Sequence, residues 1–225
     1  MLSQLIRFIQ SIKRKQFVAG VKNKKLLKLN LGAGGKHFPG WFSAEKYQLD
    51  ITKCDSFKKI FSEASIASIL VENVIEHIQK QEFIYFLHAI KSFLQPGANI
   101  RIAVPDAYHP SAYVRDLTRP GGLESGADDH KEFYSIETFR EIAMLTGHTL
   151  IPIEFFDAKG FFSYSDYDVS SGYISRCKTN YQGRFTENLN EYQKMIDTTP
   201  QHLREQFVTH RISYTSLLVD FVKDI

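Results

Sequence analysis

The sequence predicts an α/β fold with a mostly parallel sheet, and three observations carry this prediction. A short apolar run, 26–31, stops at three glycines within four residues, as a buried strand does before a tight turn. Two further apolar runs, 66–71 and 100–104, read as strands that end in polar residues at one edge. Between them, residues 82–94 have apolar spacing of helical period and stop at Pro96-Gly97. Strand, helix and strand in this order favour a parallel sheet.

Size and composition set the class of protein. The 225 residues, of which 43% are hydrophobic and 24% charged, suffice for one well-buried globular domain. A formal charge of +3 is too small to indicate a nucleic-acid partner, which would need a strongly basic face. Cys54 and Cys177 lie far apart without a CxxC pair, so neither a disulfide framework nor a zinc site is indicated. We therefore expect a reducing, cytoplasmic location.

Residues 1–25 are predicted to form an amphipathic basic helix. Apolar residues from Leu2 to Ile12 recur at helical spacing, and basic residues stand at positions 7 and 13–15. The segment is too short and interrupted to cross a bilayer, and it lacks a signal-peptide cleavage site. We expect it to pack on the domain with its basic side chains in water, and weak contact with an anionic membrane surface is the alternative.

The glycine turn after the first strand predicts a nucleotide-type ligand. Gly32 and Gly34 lack a Cβ, so the backbone can take positive φ and approach a ligand closely. A dinucleotide fingerprint would place Gly or Ala where this chain has His37, and a phosphate loop would need Ser or Thr there. These exclusions favour a nucleoside cofactor without a long phosphate tail, of which S-adenosylmethionine is the commonest.

The connection between the first strand, 26–31, and the second is predicted to be a turn without a helix. A second short strand, 41–45, begins a few residues after Gly35, whereas a parallel crossover takes about a dozen residues. Glu45 ends this strand, at a position where a carboxylate can accept two hydrogen bonds from a ribose diol. The alternative is that Glu45 is a solvent-exposed charge at the end of the strand. The next segment, 47–52, is centred on Leu49-Asp50-Ile51 and is counted as the third strand, before the strand at 66–71. Asp50 could accept from an adenine amino group or cap a turn.

The later part of the chain supplies two more strands and an unusual insertion. Residues 135–146 are predicted to be helical, with Ser135 as the N-cap and Gly147 as the stop. Strands are predicted at 150–156 and 216–222, paired antiparallel. An aromatic-rich insertion at about 157–210 separates them. Aromatic faces stack on sugar rings, so the insertion could form a saccharide pocket, and a covering lobe or dimer contact is an equal alternative.

The order of several motifs resembles a known family. The motifs are the glycine turn at 28–35, Pro39-Gly40-Trp41, Gln48-Leu49-Asp50-Ile51-Thr52, Glu72-Asn73-Val74-Ile75-Glu76-His77, Phe93-Leu94-Gln95-Pro96-Gly97 and Arg101-Ile102-Ala103-Val104-Pro105-Asp106. Together they resemble a class I S-adenosylmethionine-dependent methyltransferase over nearly the whole chain. Residues 119–122 and 126–131, Arg-Pro-Gly-Gly and Gly-Ala-Asp-Asp-His-Lys, further resemble a bacterial methyltransferase group associated with surface-polysaccharide biosynthesis.

This resemblance implies a fold, a cofactor and a set of contacts. The implied fold is a Rossmann-like, seven-stranded sheet, mostly parallel with an antiparallel last strand, and the implied cofactor is S-adenosylmethionine. Glycines 32 and 34 would pass under its methionine part. The implied contacts are Asn30, Gly32, Ala33, Gly34, Glu45 for the ribose, Asp50 near adenine, Glu72 and Asn73. The chain departs from the family's commoner residues at Ala33 (Cys), Glu45 (Asp), Asn73 (His) and 95–98 (Lys-Pro-Gly-Gly).

Methyl transfer to a hydroxyl also needs a base. The candidates at strand ends and in the loop after 105 are His77, Asp106, His109, Asp128, Asp129 and His130. His130 is the first choice, because Asp128 and Asp129 could orient it, and Asp106 is the second. The alternative is that Asp128-Asp129-His130 caps the helix near Ser135 or covers a loop. We predict no metal site, because ligands adjacent in sequence rarely converge on one ion.

We therefore predict transfer of a methyl group from S-adenosylmethionine to a small molecule or glycan precursor, with a hydroxyl acceptor suggested by family context. Two other hypotheses stay open. A protein could bind the nucleoside cofactor without catalysis and act as an assembly partner. An NAD-dependent oxidoreductase is the third hypothesis, which His37 and the missing first helix weaken.

Overall fold

The computed structural model describes residues 2–174, 189–210, 212 and 216–224. Its strands are β1 (Leu27–Leu31), β2 (Phe42–Ala44), β3 (Ile66–Glu72), β4 (Leu94–Pro105), β5 (His148–Phe156), β6 (Phe162–Tyr164) and β7 (Ser216–Lys223). Its α-helices are α1 (Leu2–Val21), α2 (Lys80–Ile90), α3 (Ala112–Thr118), α4 (Ile136–Thr146), α5 (Leu189–Asp197) and α6 (Glu205–His210). The strands form one sheet in the order β2-β1-β3-β4-β7-β5-β6.

The strand directions confirm the predicted fold class. Strand β1 pairs parallel with β2 and β3, and β3 pairs parallel with β4. The last strand, β7, lies antiparallel between β4 and β5. The membership of the sheet differs from expectation at one strand. The segment 47–52 forms turns, and the seventh strand is β6, an edge strand within the insertion that pairs antiparallel with β5.

The first crossover is reduced to turns, as predicted. The described residues 32–41 contain no helix. The backbone amide of Gly32 donates to the carbonyl oxygen of Ala44 at 2.8 Å, so the turn that leaves β1 is tied directly to the end of β2. Both strands therefore end beside the glycine turn, which is where a parallel sheet presents a ligand site.

The core lies on the two faces of the central strands. Ile69 and Val71 of β3 are fully buried on one face, and Leu70 of β3 and Ala103 of β4 are fully buried on the other, as expected for strands covered on both faces. Helices α2 and α4 cover one face through a group of mutually packed aromatic rings, namely Phe83, Tyr134, Phe139 and Phe221. Ser135 accepts from the amide of Thr138 at the start of α4, so the predicted N-cap is confirmed.

Helix α1 packs on the domain through its second half. Phe17 and Val21 are buried, whereas Leu2, Leu5, Ile6, Phe8, Ile9 and Ile12 are 41–73% exposed. The expectation that this helix packs on the domain therefore holds for its C-terminal end and is wrong for the apolar side chains of its N-terminal half. Among the described residues, no helix has the length and hydrophobicity needed to span a membrane.

The first part of the insertion is anchored to the sheet by a buried arginine. Arg101 on β4 donates to the carbonyl oxygens of Asp168 and Gly172, and its guanidinium lies 4.0 Å from the ring centre of Tyr167. Ile174 joins a buried cluster on the same sheet face. This part of the insertion is a covering lobe. Cys177, Tyr181 and Phe185 lie outside the described residues.

Candidate functional site

The glycine turn combines one tightly packed position with one open position. Gly32 has φ +65°, and a Cβ there would lie 2.3 Å from Cγ2 of Val74. Gly34 has φ +56°, and a Cβ there would meet no described atom within 4 Å. Gly32 is therefore required by the protein's own packing, whereas Gly34 borders free space.

Polar side chains from neighbouring strand ends converge on this turn. Lys36 Nζ lies 2.6 Å from Oε2 of Glu72. Glu45 is half-buried, and its Oε1 accepts from the amide of Gly35 at 3.4 Å. Asn30 is buried and donates to the carbonyl oxygen of Lys36 at 3.3 Å. Three of the predicted contact residues thus hold the loop that follows β1, with Glu45 facing the turn.

Asp50 caps a turn, which is the structural alternative the sequence left open. Its Oδ1 accepts from the backbone amide of Thr52 at 3.0 Å and from the hydroxyl of Thr52 at 2.7 Å. Burial alone would raise the pKa of this carboxyl, but these hydrogen bonds and the nearby Lys53 lower it below its usual value. A fixed, charged acceptor results, and its carboxylate also borders a cavity.

That cavity has a volume of about 380 Å³ and opens beside the glycine turn. Small-molecule sites typically measure about 300–1,000 Å³. Gly32, Asp50 and Asn73, three of the predicted cofactor contacts, line it together with His77 and Asp129. The other predicted contacts, Asn30, Ala33, Gly34, Glu45 and Glu72, lie outside this lining. Asn73 has φ +52°, a strained conformation of the kind that often marks functional sites.

Asp106 and His109, two of the candidate bases, are built into the core. Asp106 is 2% exposed, and its oxygens accept from the amides of Tyr108 and Phe156, both at 2.8 Å. Burial raises its pKa to about 7, against the effect of these hydrogen bonds. His109 is buried, accepts from the amide of Ser111 and packs on the ring of Phe156. The position of Asp106 favours a structural role, and its role as a base stays a prediction.

His77 and His130 come together in a second cavity of about 130 Å³. Their ring centres are 4.6 Å apart. Nδ1 of His77 is hydrogen-bonded to Oδ1 of Asp129, and Nδ1 of His130 lies 2.8 Å from the carbonyl oxygen of Thr118. The expectation that Asp129 orients His130 is therefore wrong, because Asp129 orients His77 and a backbone carbonyl orients His130.

Glu76 completes this cluster, and sequence reasoning missed it. The residue is 2% exposed, and no side chain among the residues that the structure describes donates to either carboxylate oxygen. Burial raises its pKa to about 8, against hydrogen bonding from the backbone of Glu76 and Val74, and the charge of Asp129 adds to the increase. An acid directly before a histidine was visible in the motif 72–77, but its burial depends on the distant loop 127–132.

No protein-family model matches the sequence, and no curated protein matches it. A SAM-dependent methyltransferase from Archaeoglobus fulgidus aligns with 97% of this chain and 94% of its own at 11% identity and TM-score 0.46. An O-methyltransferase family protein from Burkholderia thailandensis aligns with 67% of this chain and 54% of its own, at 10% identity and TM-score 0.42. A third similar structure is the 1,6-didemethyltoxoflavin-N1-methyltransferase of the same organism, with bound 1,6-didemethyltoxoflavin and S-adenosylhomocysteine. It aligns with 63% of this chain and 70% of its own, at 13% identity and TM-score 0.39.

Proposed function

We propose that this protein is an S-adenosylmethionine-dependent methyltransferase that acts on a hydroxyl of a small molecule or glycan precursor. The observation that carries the proposal is the placement of two cavities at the carboxyl ends of β1 and β3. The larger cavity adjoins the glycine turn, and the smaller contains two histidines. Asn73 and His77 line both cavities, so groups held in the two would be neighbours.

The residues around the first cavity fit the cofactor. The free space at Gly34 allows a ligand to approach the backbone, as the resemblance implies for the methionine part. Asp50 offers a charged acceptor on the cavity wall, and Glu45 stands beside the turn as an acceptor for the ribose hydroxyls. The bound cofactor supplies an activated sulfonium methyl group, so the protein's main task is to align acceptor and donor, which can supply about 7–11 kcal/mol.

The histidine pair is placed to activate the acceptor. A carbonyl oxygen can only accept a hydrogen bond, so Nδ1 of His130 carries the proton and its Nε2 keeps a lone pair. In this proposal Nε2 of His130 takes the hydroxyl proton while the acceptor oxygen bonds to the methyl carbon and the carbon–sulfur bond breaks. Nε2 of His77, whose Nδ1 is held by Asp129, is the alternative base.

The class of acceptor rests on the resemblance alone. The motifs at 119–122 and 126–131 point to surface-polysaccharide biosynthesis, and hence to a cytoplasmic enzyme that modifies a sugar or glycan precursor. The loop that carries both motifs also carries Asp129 and His130. It therefore stands where an acceptor would meet the proposed base.

Calorimetric titration with S-adenosylhomocysteine tests the cofactor, with NAD as the competing ligand. We expect S-adenosylhomocysteine to bind in preference to NAD, and Glu45→Ala to weaken binding by about 1.5–3 kcal/mol through loss of charge-assisted hydrogen bonds. Preference for NAD would contradict the proposal and favour an oxidoreductase. Binding without methyl transfer to any hydroxyl in a broad panel of sugars and nucleotide sugars would favour a catalytically inactive assembly partner.

We also propose that the N-terminal half of α1 contacts an anionic lipid surface. The apolar side chains from Leu2 to Ile12 are exposed on one helix, and residues 1–44 contain nine basic and no acidic residues. An exposed apolar face with surrounding positive charge fits a membrane interface that carries acidic lipids.

Sedimentation with vesicles tests this contact. We expect binding to vesicles of phosphatidylcholine with phosphatidylglycerol, weaker binding at high salt, and little binding to phosphatidylcholine alone. Leu5→Ser/Ile9→Ser should abolish binding, whereas Leu123→Ser, at a site 79% exposed elsewhere, should not. Self-association that the double variant abolishes, without any lipid binding by the wild type, would contradict the proposal.

A further inference from the structure

We propose that Glu76, His77 and His130 form a site for a divalent transition-metal ion next to the cavity assigned to the cofactor. One carboxylate oxygen of Glu76 and one ring nitrogen of each histidine lie within 4.8 Å of one another. Ligands of a single zinc ion, bound at about 2.0–2.2 Å, are about 3–4 Å apart, so a small inward movement completes the site. Two imidazoles and one carboxylate are also the ligand set of known catalytic zinc sites.

The second nitrogen of each histidine already has the partner that a metal-bound histidine needs. Metal-ligating histidines usually donate the other ring N–H to a carboxylate or a backbone carbonyl. Here Nδ1 of His77 meets the carboxylate of Asp129, and Nδ1 of His130 meets the carbonyl of Thr118. Both partners accept hydrogen bonds, so in the neutral ring of each histidine Nδ1 carries the proton and Nε2 is the nitrogen left to bind an ion.

Glu76 is the independent observation that points to a cation. Its carboxylate is buried, and no side chain in the described part of the chain donates to either oxygen. The backbone around Val74 and Glu76 stabilises its charge only in part. A buried acid without a charged or side-chain partner is costly, and such groups are usually paired or bound to a metal. The histidine base proposed above gives Glu76 no role. A bound ion would give it one.

The backbone holds the two halves of the site in register. The carbonyl oxygen of Glu76 accepts from the amides of Lys131 and Glu132, at 2.7 and 3.2 Å. These bonds fix the turn 75–77 against the segment that carries Asp129 and His130. Residues adjacent in sequence therefore need not surround the ion by themselves, because two distant segments contribute to it.

The ligand types select the ion and suggest its role. Imidazole nitrogen favours zinc and neighbouring first-row ions over magnesium and calcium, which prefer oxygen. Three protein ligands leave a coordination position open. An acceptor hydroxyl bound there would lose its proton to water more readily, and its oxygen would then take the methyl group as the carbon–sulfur bond breaks. With the ion bound, both histidines are ligands, so the ion replaces the histidine base. This role rests on the proposed function, whereas binding of the ion does not.

Metal binding can be measured without any methyl acceptor. The protein is treated with a chelator, dialysed and titrated with Zn²⁺ by calorimetry and with Co²⁺ by visible absorption. We expect one ion per chain, with d–d bands of Co²⁺ bound to nitrogen ligands. Glu76→Gln and His130→Gln should each weaken binding at least tenfold, and Asp129→Asn about ten- to a hundredfold. The control, His88→Gln, changes an exposed histidine outside the cluster and should bind as the wild type does.

Two results would overturn the metal site. One is the absence of stoichiometric binding, and the other is unchanged binding in both Glu76→Gln and His130→Gln. Thermal melting of the metal-free variants shows that each is folded, and Glu76→Gln should melt no lower than the wild type because it removes an unpaired buried acid. A parallel S-adenosylhomocysteine titration separates the two proposals. Cofactor binding without metal binding refutes the ion alone, and the reverse result refutes the methyltransferase.

Discussion

Replacing Asp220 by asparagine is expected to lower the free energy of unfolding by about 3–5 kcal/mol, the usual result of removing one partner from a buried ion pair. Asp220 on β7 lies opposite Arg101 on β4 and accepts from its Nε and one terminal nitrogen, at 2.8 and 2.7 Å. The two side chains are 10% and 2% exposed. Asparagine has nearly the same shape, but it leaves the guanidinium without a counter-charge. The same guanidinium holds residues 168 and 172 of the insertion, so the insertion should loosen as well.

Urea denaturation followed by circular dichroism measures this loss. For a chain of this size it corresponds to a fall in Tm of about 6–20 °C. The control is Glu137→Gln, which removes an exposed pair with Arg140 at 3.6 Å and should change stability by less than about 0.5 kcal/mol. The apolar double variant Arg101→Met/Asp220→Leu should recover much of the loss. A loss below about 1 kcal/mol in Asp220→Asn would refute the reasoning.

Three further predictions concern the scaffold. Gly32→Ala should destabilise the protein by at least about 1–2 kcal/mol from positive φ alone, and Val74→Ala in the same chain should relieve the added clash in a urea titration. Ser135→Ala should lower the free energy of unfolding by about 1 kcal/mol, because it removes the side-chain cap on the amide of Thr138. A comparable loss on replacing a distant, exposed serine by alanine would contradict this explanation. Burial lowers the pKa of His148 to about 4, below its unfolded value, so its stabilising effect is complete above about pH 6.5 and is lost as pH falls towards 4. Between pH 7 and pH 4.5 the free energy of unfolding should fall by about 1–2 kcal/mol less in His148→Gln than in the wild type, after allowance for solvent screening. An equal fall in both proteins would refute this.

The main strands were predictable because local signals agree with the tertiary structure. Residues 66–71 and 100–104 are mostly apolar, interrupted only by Ser68 and Arg101, and both segments are buried on two faces in the sheet. Gly147 stops α4 with φ +63°, as a glycine after an apolar helical pattern predicts. The reduced first crossover also followed from chain length, because 32–41 is too short for a helix that returns to the sheet.

Two strand assignments failed for identifiable reasons. Leu49 and Ile51 are buried and alternate as strand residues do, but the side chain of Asp50 bonds to the backbone two residues later and turns the chain. Strand β6 is three residues long and pairs with one neighbour, so its sequence carries little periodic signal.

The parts of the candidate site that lie at strand ends were predictable from the sequence. The contacts that involve the distant loop 127–132 were not. Gly32, Asp50 and Asn73 were implied as neighbours by the family resemblance, and they line one cavity because ligands bind at the carboxyl ends of parallel strands. The pairing of His77 with Asp129 joins residues 52 positions apart, and the burial of Glu76 depends on the same loop. No local pattern encodes such contacts.

Binding of S-adenosylhomocysteine to Gly34→Val, compared with Gly97→Val, tests the central claim most directly. Both glycines have positive φ, and at each position a Cβ would meet no described atom within 4 Å, so backbone strain and local space are matched. Gly34 lies beside the proposed cofactor cavity, and Gly97 lies near the start of β4. We predict that Gly34→Val abolishes binding while Gly97→Val binds as the wild type does. Equal affinity of the two variants would contradict a cofactor site on the glycine turn.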